Sequence, residues 1–155
     1  MCDWVLDTSL LYEAAKGDMD ASDVLYGIKY VKHRIVVDHE RHIEGEYQRC
    51  IYIIKRKTKE YLHCEFVSHW LKIMYEKKRI YYHCGKLNNK HQDKLMGLKF
   101  HKDDWPFVAV CFCSINKRLV AEESDYSREV IDYLKKQMNI VVMKTKDCLQ
   151  IIEKY

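Results

Sequence analysis

Only one of the 155 residues is proline and five are glycine, and those glycines are scattered. No Gly-rich loop of the kind that cradles nucleotide phosphates is present, which disfavours a nucleotide-binding domain built on one. Nor does a repeat, a low-complexity tract or a Pro/Gly linker divide the chain, so one domain spanning 1–155 is expected. The roughly 18 to 20 uncharged residues of a bilayer span are missing, and Met1-Cys2-Asp3-Trp4 enters the first apolar segment without a basic, then apolar, leader. A soluble, cytoplasmic protein with no membrane partner is the expectation. Seven cysteines make an odd count with no Cys-x-x-Cys pair, which speaks against a disulfide framework and for free thiols in a reducing compartment. Cys50, Cys111 and Cys113 fall in apolar runs and read as small core residues. Among the eight histidines, His63-Cys64 and His83-Cys84 lack the spacing of a zinc site.

What the chain does have is 48% apolar residues arranged in alternating strand-like and helical segments from end to end. That alternation points to an α/β fold, a mostly parallel sheet with helices on both faces. Strands are expected at Trp4–Asp7, Arg34–Asp38, Ile80–Tyr82, Lys117–Ala121 and Ile140–Met143. Helices are expected at Ser9–Lys16, after Asp20-Ala21-Ser22, from His39 to about Ile54, over Glu65–Lys78, from Asp104 to about Cys113, over Arg128–Met138 behind Ser127, and from Thr145. Lys90–Lys102 is too polar to assign.

Carboxylates recur where the apolar runs end. Asp7 closes Trp4-Val5-Leu6, Glu46 lies in the segment after Ile35-Val36-Val37, Asp104 opens Phe107-Val108-Ala109-Val110, and Glu122, Glu123 and Asp125 follow Leu119-Val120-Ala121. Each has a bland reading: Asp7 and Asp104 as helix N-caps, Glu46 as a helix-surface residue, the last group as a solvated loop favouring the next helix dipole. Taken together they occupy the end of an open α/β sheet where ligands bind. Carboxylates gathered there repel one another unless protons or a cation neutralise them, and an all-oxygen set suits Mg²⁺ or Mn²⁺.

These segments resemble the motifs of the PIN domain, a metal-dependent ribonuclease family. Val5-Leu6-Asp7-Thr8-Ser9 is similar to its first strand and first acid, Ile43-Glu44-Gly45-Glu46-Tyr47 to its second motif, Asp103-Asp104-Trp105-Pro106-Phe107-Val108 to its third, and Leu119-Val120-Ala121-Glu122-Glu123-Ser124-Asp125-Tyr126 to its fourth. The resemblance covers nearly the whole chain. It implies a three-layer α/β/α sandwich on about five strands, and an endoribonuclease using Mg²⁺ or Mn²⁺. Asp7, Glu46, Asp104, Glu123 and Asp125 would be its catalytic acids, and Asp7, Asp104 and Asp125 would hold the metal. Glu44 and Glu46 flank the apolar stripe of their helix at similar angles, at about 100° per residue, and only the resemblance favours Glu46. Ala121 stands where the family usually has Thr or Ser, and Glu123 where it usually has Asp; a family relative that has lost activity and binds RNA or a protein is therefore the alternative.

Charge is uneven. Glu76–Lys102 holds eight Lys or Arg against two acids, while Glu122–Asp132 holds five acids against one Arg. Lys77, Lys78, Arg79, Lys86, Lys90, Lys94 and Lys99, interleaved with Tyr81, Tyr82 and Phe100, are the candidates for contact with RNA phosphates and bases. The family further implies RNA processing or a toxin paired with an antitoxin, with homodimers common among similar domains.

Overall fold

The computed structural model describes residues 1–122 and 126–154. Its elements run β1 (Asp3–Leu6), α1 (Thr8–Lys16), α2 (Met19–Tyr30), β2 (Arg34–Asp38), α3 (His42–Arg56), α4 (Cys64–Glu76), β3 (Ile80–His83), α5 (Asn89–Gly97), a 3-10 turn (Lys102–Asp104), α6 (Trp105–Cys113), β4 (Arg118–Val120), α7 (Arg128–Met138), β5 (Val141–Met143) and α8 (Thr145–Ile152). The expected α/β class holds, and all four strand pairings are parallel in the order β3-β2-β1-β4-β5.

The strands are short apolar runs because a parallel sheet is covered on both faces and has no need of polar alternation. Trp4, Val5 and Leu6 of β1 are fully buried, as are Ile35, Val36 and Val37 of β2 and Leu119 and Val120 of β4. Right-handed crossovers send the helices between β1, β2 and β3 to one face and those between β3, β4 and β5 to the other. On the first face α1 packs against α2, α3 and α4, and α8 joins α2; on the second, α6 lies across β1, β2 and β4 and α7 covers β5. The result is a three-layer sandwich. No helix among the described residues is long and apolar enough to cross a membrane.

Helix α3 begins at His42 rather than His39, and two further differences from the sequence reading have a clear physical cause. Gly17, in the left-handed region at φ 98°, ends α1, and Asp18 immediately caps the next helix by accepting from the Ala21 N–H at 2.8 Å, so α2 begins at Met19 rather than after Ser22. The unassigned stretch holds α5, started by the Asn88 side chain on the His91 N–H at 2.9 Å; only His91 and Leu95 are buried, too few to mark a helix by periodicity.

Between β3 and α5 the chain crosses directly over α6 at Gly85. A Cβ there would lie 2.6 Å from the Val110 backbone nitrogen and 2.7 Å from the Ala109 carbonyl carbon, which no side-chain rearrangement relieves. Gly85→Ala is expected to lower stability by about 1–3 kcal/mol as α6 is pushed from the sheet, read as a shifted denaturation midpoint; an unchanged midpoint would show that this crossing is not tight.

Candidate active site

Because the strands all point one way, Asp7, Cys84 and Glu122, which follow their strands, and Asp38, which ends β2, lie at one edge of the sheet. The connections from β1 and β4 leave toward opposite faces, so the topological switch point lies between these two strands. The backbone closes tightly there. Asp7 N–H donates to the Val120 carbonyl at 2.9 Å, and the Glu122 N–H donates to the Ser9 hydroxyl at 3.0 Å. Asp7 is 1% exposed, and its carboxylate accepts from the Ser9 N–H at 3.0 Å as the N-cap of α1. The capping reading of Asp7 is thus correct, at the position the family resemblance marks for its first acid.

The second motif is carried to the same edge by Tyr47, which is buried and donates its hydroxyl to the Leu6 carbonyl at 2.7 Å. Burial, and after it the neighbouring Asp7 carboxylate, push the Tyr47 phenol well above its ordinary value. One residue away, Glu46 lines a cavity of about 290 Å³ with His42, Lys102, Asp103, Pro106 and Phe107, and sits 3.5 Å from Arg49. Glu44 takes the other direction and accepts from the Tyr75 hydroxyl at 2.8 Å. The cavity therefore belongs to Glu46.

Asp104 closes the 3-10 turn and is the N-cap residue of α6, half-buried, with Pro106 in the first turn of the helix. Its backbone is in the right-handed helical region and its side chain makes no capping bond to α6, so the sequence reading located the helix start correctly but not the means. Glu122 is engaged structurally: its carboxylate accepts from the Thr145 N–H at 2.6 Å and starts α8. Glu123 and Asp125 lie outside the described residues.

Asp38 was missed by sequence reasoning. It is 5% exposed at the end of β2 and accepts from the N–H groups of His42 (3.0 Å) and Ile43 (2.8 Å), with His42 Nδ1 3.1 Å from its second oxygen. It anchors the start of α3. It also lines a second cavity, of about 380 Å³, together with His39, Glu40, His42, Cys84, Gly85, Lys86, Leu87, Gln92, Lys102, Trp105, Pro106 and Ala109. His42, Lys102 and Pro106 border both cavities, so one crevice runs from Glu46 past Lys102 to Lys86 and Trp105.

The basic candidates separate. Lys86 lines the crevice, and Lys102, which the sequence reading did not single out, stands at its centre. Lys77, Lys78 and Arg79 precede β3 and so sit at the opposite edge of the sheet, roughly 15 Å from its carboxyl end at about 3.3 Å per residue. Lys90 and Lys94 face a separate surface hollow beside Tyr133, and Lys99 lies in the turn after α5. Phe100 is 4% exposed and unable to stack on a base, whereas Tyr81 is 41% exposed.

All the acids at the carboxyl edge offer hard oxygen donors, which fit Mg²⁺ or Mn²⁺ in kind. Among the described residues, however, no three or more His, Cys, Asp or Glu side chains are grouped to hold a metal ion, so Asp7, Glu46 and Asp104 do not make up such a site by themselves. The thiols of Cys50, Cys111 and Cys148 are pushed up to about 12 by burial and stay protonated at neutral pH, which removes them as nucleophiles.

Asp38→Ala is expected to cost about 1–2 kcal/mol, because two backbone N–H groups at the start of α3 lose their acceptor, and Asp38→Asn less; equal stability of both variants and the wild type would contradict the capping role. No family model matches this chain, and neither a curated protein nor a solved structure is found to be similar to it.

Proposed function

We propose that the protein is a metal-dependent endoribonuclease of PIN type that hydrolyses RNA phosphodiester bonds in the crevice between α3 and α6. The observation that carries this reading is spatial. Four segments that resemble the family's motifs, distant in sequence, start or end at the same edge of the sheet: Asp7 after β1, Glu46 on α3 beside the Tyr47–Leu6 bond, Asp104 before α6, and Glu122 after β4. In this reading Asp7, Glu46 and Asp104 are the principal acids, and Glu123 and Asp125 complete or orient the set.

A divalent cation held by Asp7, Asp104 and Asp125 would stabilise the attacking and leaving oxygens and lower the pKa of the attacking water. The chain's own part is positioning. The α1 cap and the Tyr47 hydroxyl fix the end of β1, so Asp7 holds its place without reorganisation. Lys102 and Lys86 line the crevice and supply the positive charge that an RNA phosphate needs to approach a row of carboxylates. Trp105, half-buried with its indole N–H on the Phe100 carbonyl at 3.2 Å, forms a fixed aromatic wall beside them.

A second reading, a catalytically degenerate domain that binds RNA or a protein, is favoured by one observation: among the described residues the acids do not group in threes. An RNA cleavage assay with Mn²⁺ against EDTA separates the two. The wild type is expected to cleave only with Mn²⁺, and Asp7→Asn to lose at least roughly 100-fold in rate while remaining folded, since asparagine also caps a helix. Cleavage by Asp7→Asn at the wild-type rate, or no cleavage by the wild type, would sink the nuclease reading.

A further inference from the structure

The edge of the sheet opposite the acids is built of cations. Every strand starts there, and the turns that lead into β2, β3 and β4 carry Lys32, then Lys77, Lys78 and Arg79, then Lys117. Three of these lysines occupy the same structural position, the left-handed residue between a helix and the following strand: Lys32 at φ 64°, Lys78 at 54° and Lys117 at 49°. The fourth such turn, from α7 to β5, uses Asn139 at φ 56°. Glycine and asparagine suit this conformation better than lysine does, so the fold does not call for lysine at these turns.

A lysine after a helix also complements the negative end of its dipole, which accounts for one cation per helix. Here the number is larger, since Lys77 precedes Lys78; the neighbouring arginines are engaged, Arg79 donating to the Lys29 carbonyl at 2.7 Å at the end of α2 and Arg118 packing on the Trp4 ring at 5.2 Å. Neutralisation is slight. Asp3 pairs with Arg34 at 2.8 Å, while among the described residues no carboxylate lies within ion-pair distance of Lys32, Lys77, Lys78 or Lys117. At the same edge burial holds the His33 imidazole below its ordinary value, and the chain's amino terminus, Arg118 and Arg79 push it further the same way.

Aromatic rings stand beside these cations. Tyr26 and Tyr30 stack at 5.8 Å on the last turns of α2, 52% and 73% exposed, with Lys29 Nζ 5.6 Å from the Tyr26 ring centroid. Tyr81, on edge strand β3, lies under the Arg34 guanidinium at 4.4 Å. Lysines that reach phosphate and exposed tyrosines that accept a base are the two parts of a single-strand platform.

We infer that the amino-end edge of the sheet, centred on Lys32, Lys78 and Lys117 with Tyr30 and Tyr81 beside them, is a second binding surface for single-stranded RNA, distinct from the acidic crevice. The choice of RNA as the polyanion rests on the function proposed above. The surface would hold the strand on the far side of the molecule from the acids, and a long RNA would span both.

The test uses a fluorescently labelled single-stranded RNA and the Asp7→Asn protein in EDTA, so that binding is read without cleavage. Lys32→Gly/Lys78→Gly/Lys117→Gly places glycine where the backbone favours it, so its melting temperature should be unchanged or higher. Its affinity is expected to fall at least about 10-fold at 0.1 M salt. The slope of log affinity against log salt should shrink by about 2, because three fewer phosphates of a single strand would be neutralised. Lys77→Glu, at an ordinary backbone conformation, should weaken binding as well. Unchanged affinity and slope in the triple variant would overturn the inference. So would binding to phosphatidylserine vesicles in place of RNA, the outcome a membrane would give through Ile115, which is 83% exposed at this edge. RNA binding through these lysines in a wild type that does not cleave would support this surface and count against the catalytic reading alone.

Discussion

The structure depends on the pairing that holds β1 between β2 and β4 with all three strands running the same way. β1 has only four residues, yet its neighbours bond to it on both edges and its apolar side chains are buried on both faces. From that parallel arrangement follows the separation of the molecule into two ends. Helix N-termini gather at the carboxyl edge with Asp7 and Asp38 as their side-chain caps, and helix C-termini gather at the amino edge with lysines in their turns. Charges of both signs thereby complement the helix dipoles, and complementarity alone would produce some of this polarity. The excess at each edge is what the proposed function and the proposed amino-edge surface rest on.

At the acidic edge the decisive links are between backbone and side chain rather than between the acids themselves. The Tyr47 hydroxyl on the Leu6 carbonyl ties α3 to the end of β1, and Ser9 ties the start of α1 to the residue after β4. These bonds bring segments about 40 and 110 residues apart in sequence to one edge of the sheet. The lysines that line the crevice are Lys86 and Lys102, placed by the crossing of Gly85 over α6 and by the turn that opens α6.

Much of this was readable from the sequence because apolar runs and caps are local signals. The five strands, the parallel sheet and the acids at its carboxyl edge follow from Trp4-Val5-Leu6, Ile35-Val36-Val37 and their counterparts. What depended on distant contacts was not readable. Glu44 and Glu46 are equivalent on a helical wheel, and it is the contact with Tyr75, on α4, that holds Glu44 away from the cavity. Asp38 ends β2 as the sequence indicates, but its role at the start of α3 was hidden, because its partners, the N–H groups of His42 and Ile43, become available only once the chain turns into that helix. The basic stretch from Lys77 to Lys102 read as one surface, yet β3 runs through it, so Lys78 and Lys86 finish at opposite edges. Helix α5 was hidden by its polar face.

Binding of a divalent cation at the carboxyl edge through Asp7 is the step on which the proposed chemistry turns. The most direct measurement is thermal unfolding against Mn²⁺ concentration, for the wild type and for Asp7→Asn. A ligand that binds only the folded state raises the midpoint with saturating dependence on its concentration. A saturable rise is expected in the wild type and its loss in Asp7→Asn; no saturable shift in the wild type, or the same shift in both proteins, would contradict cation binding through Asp7.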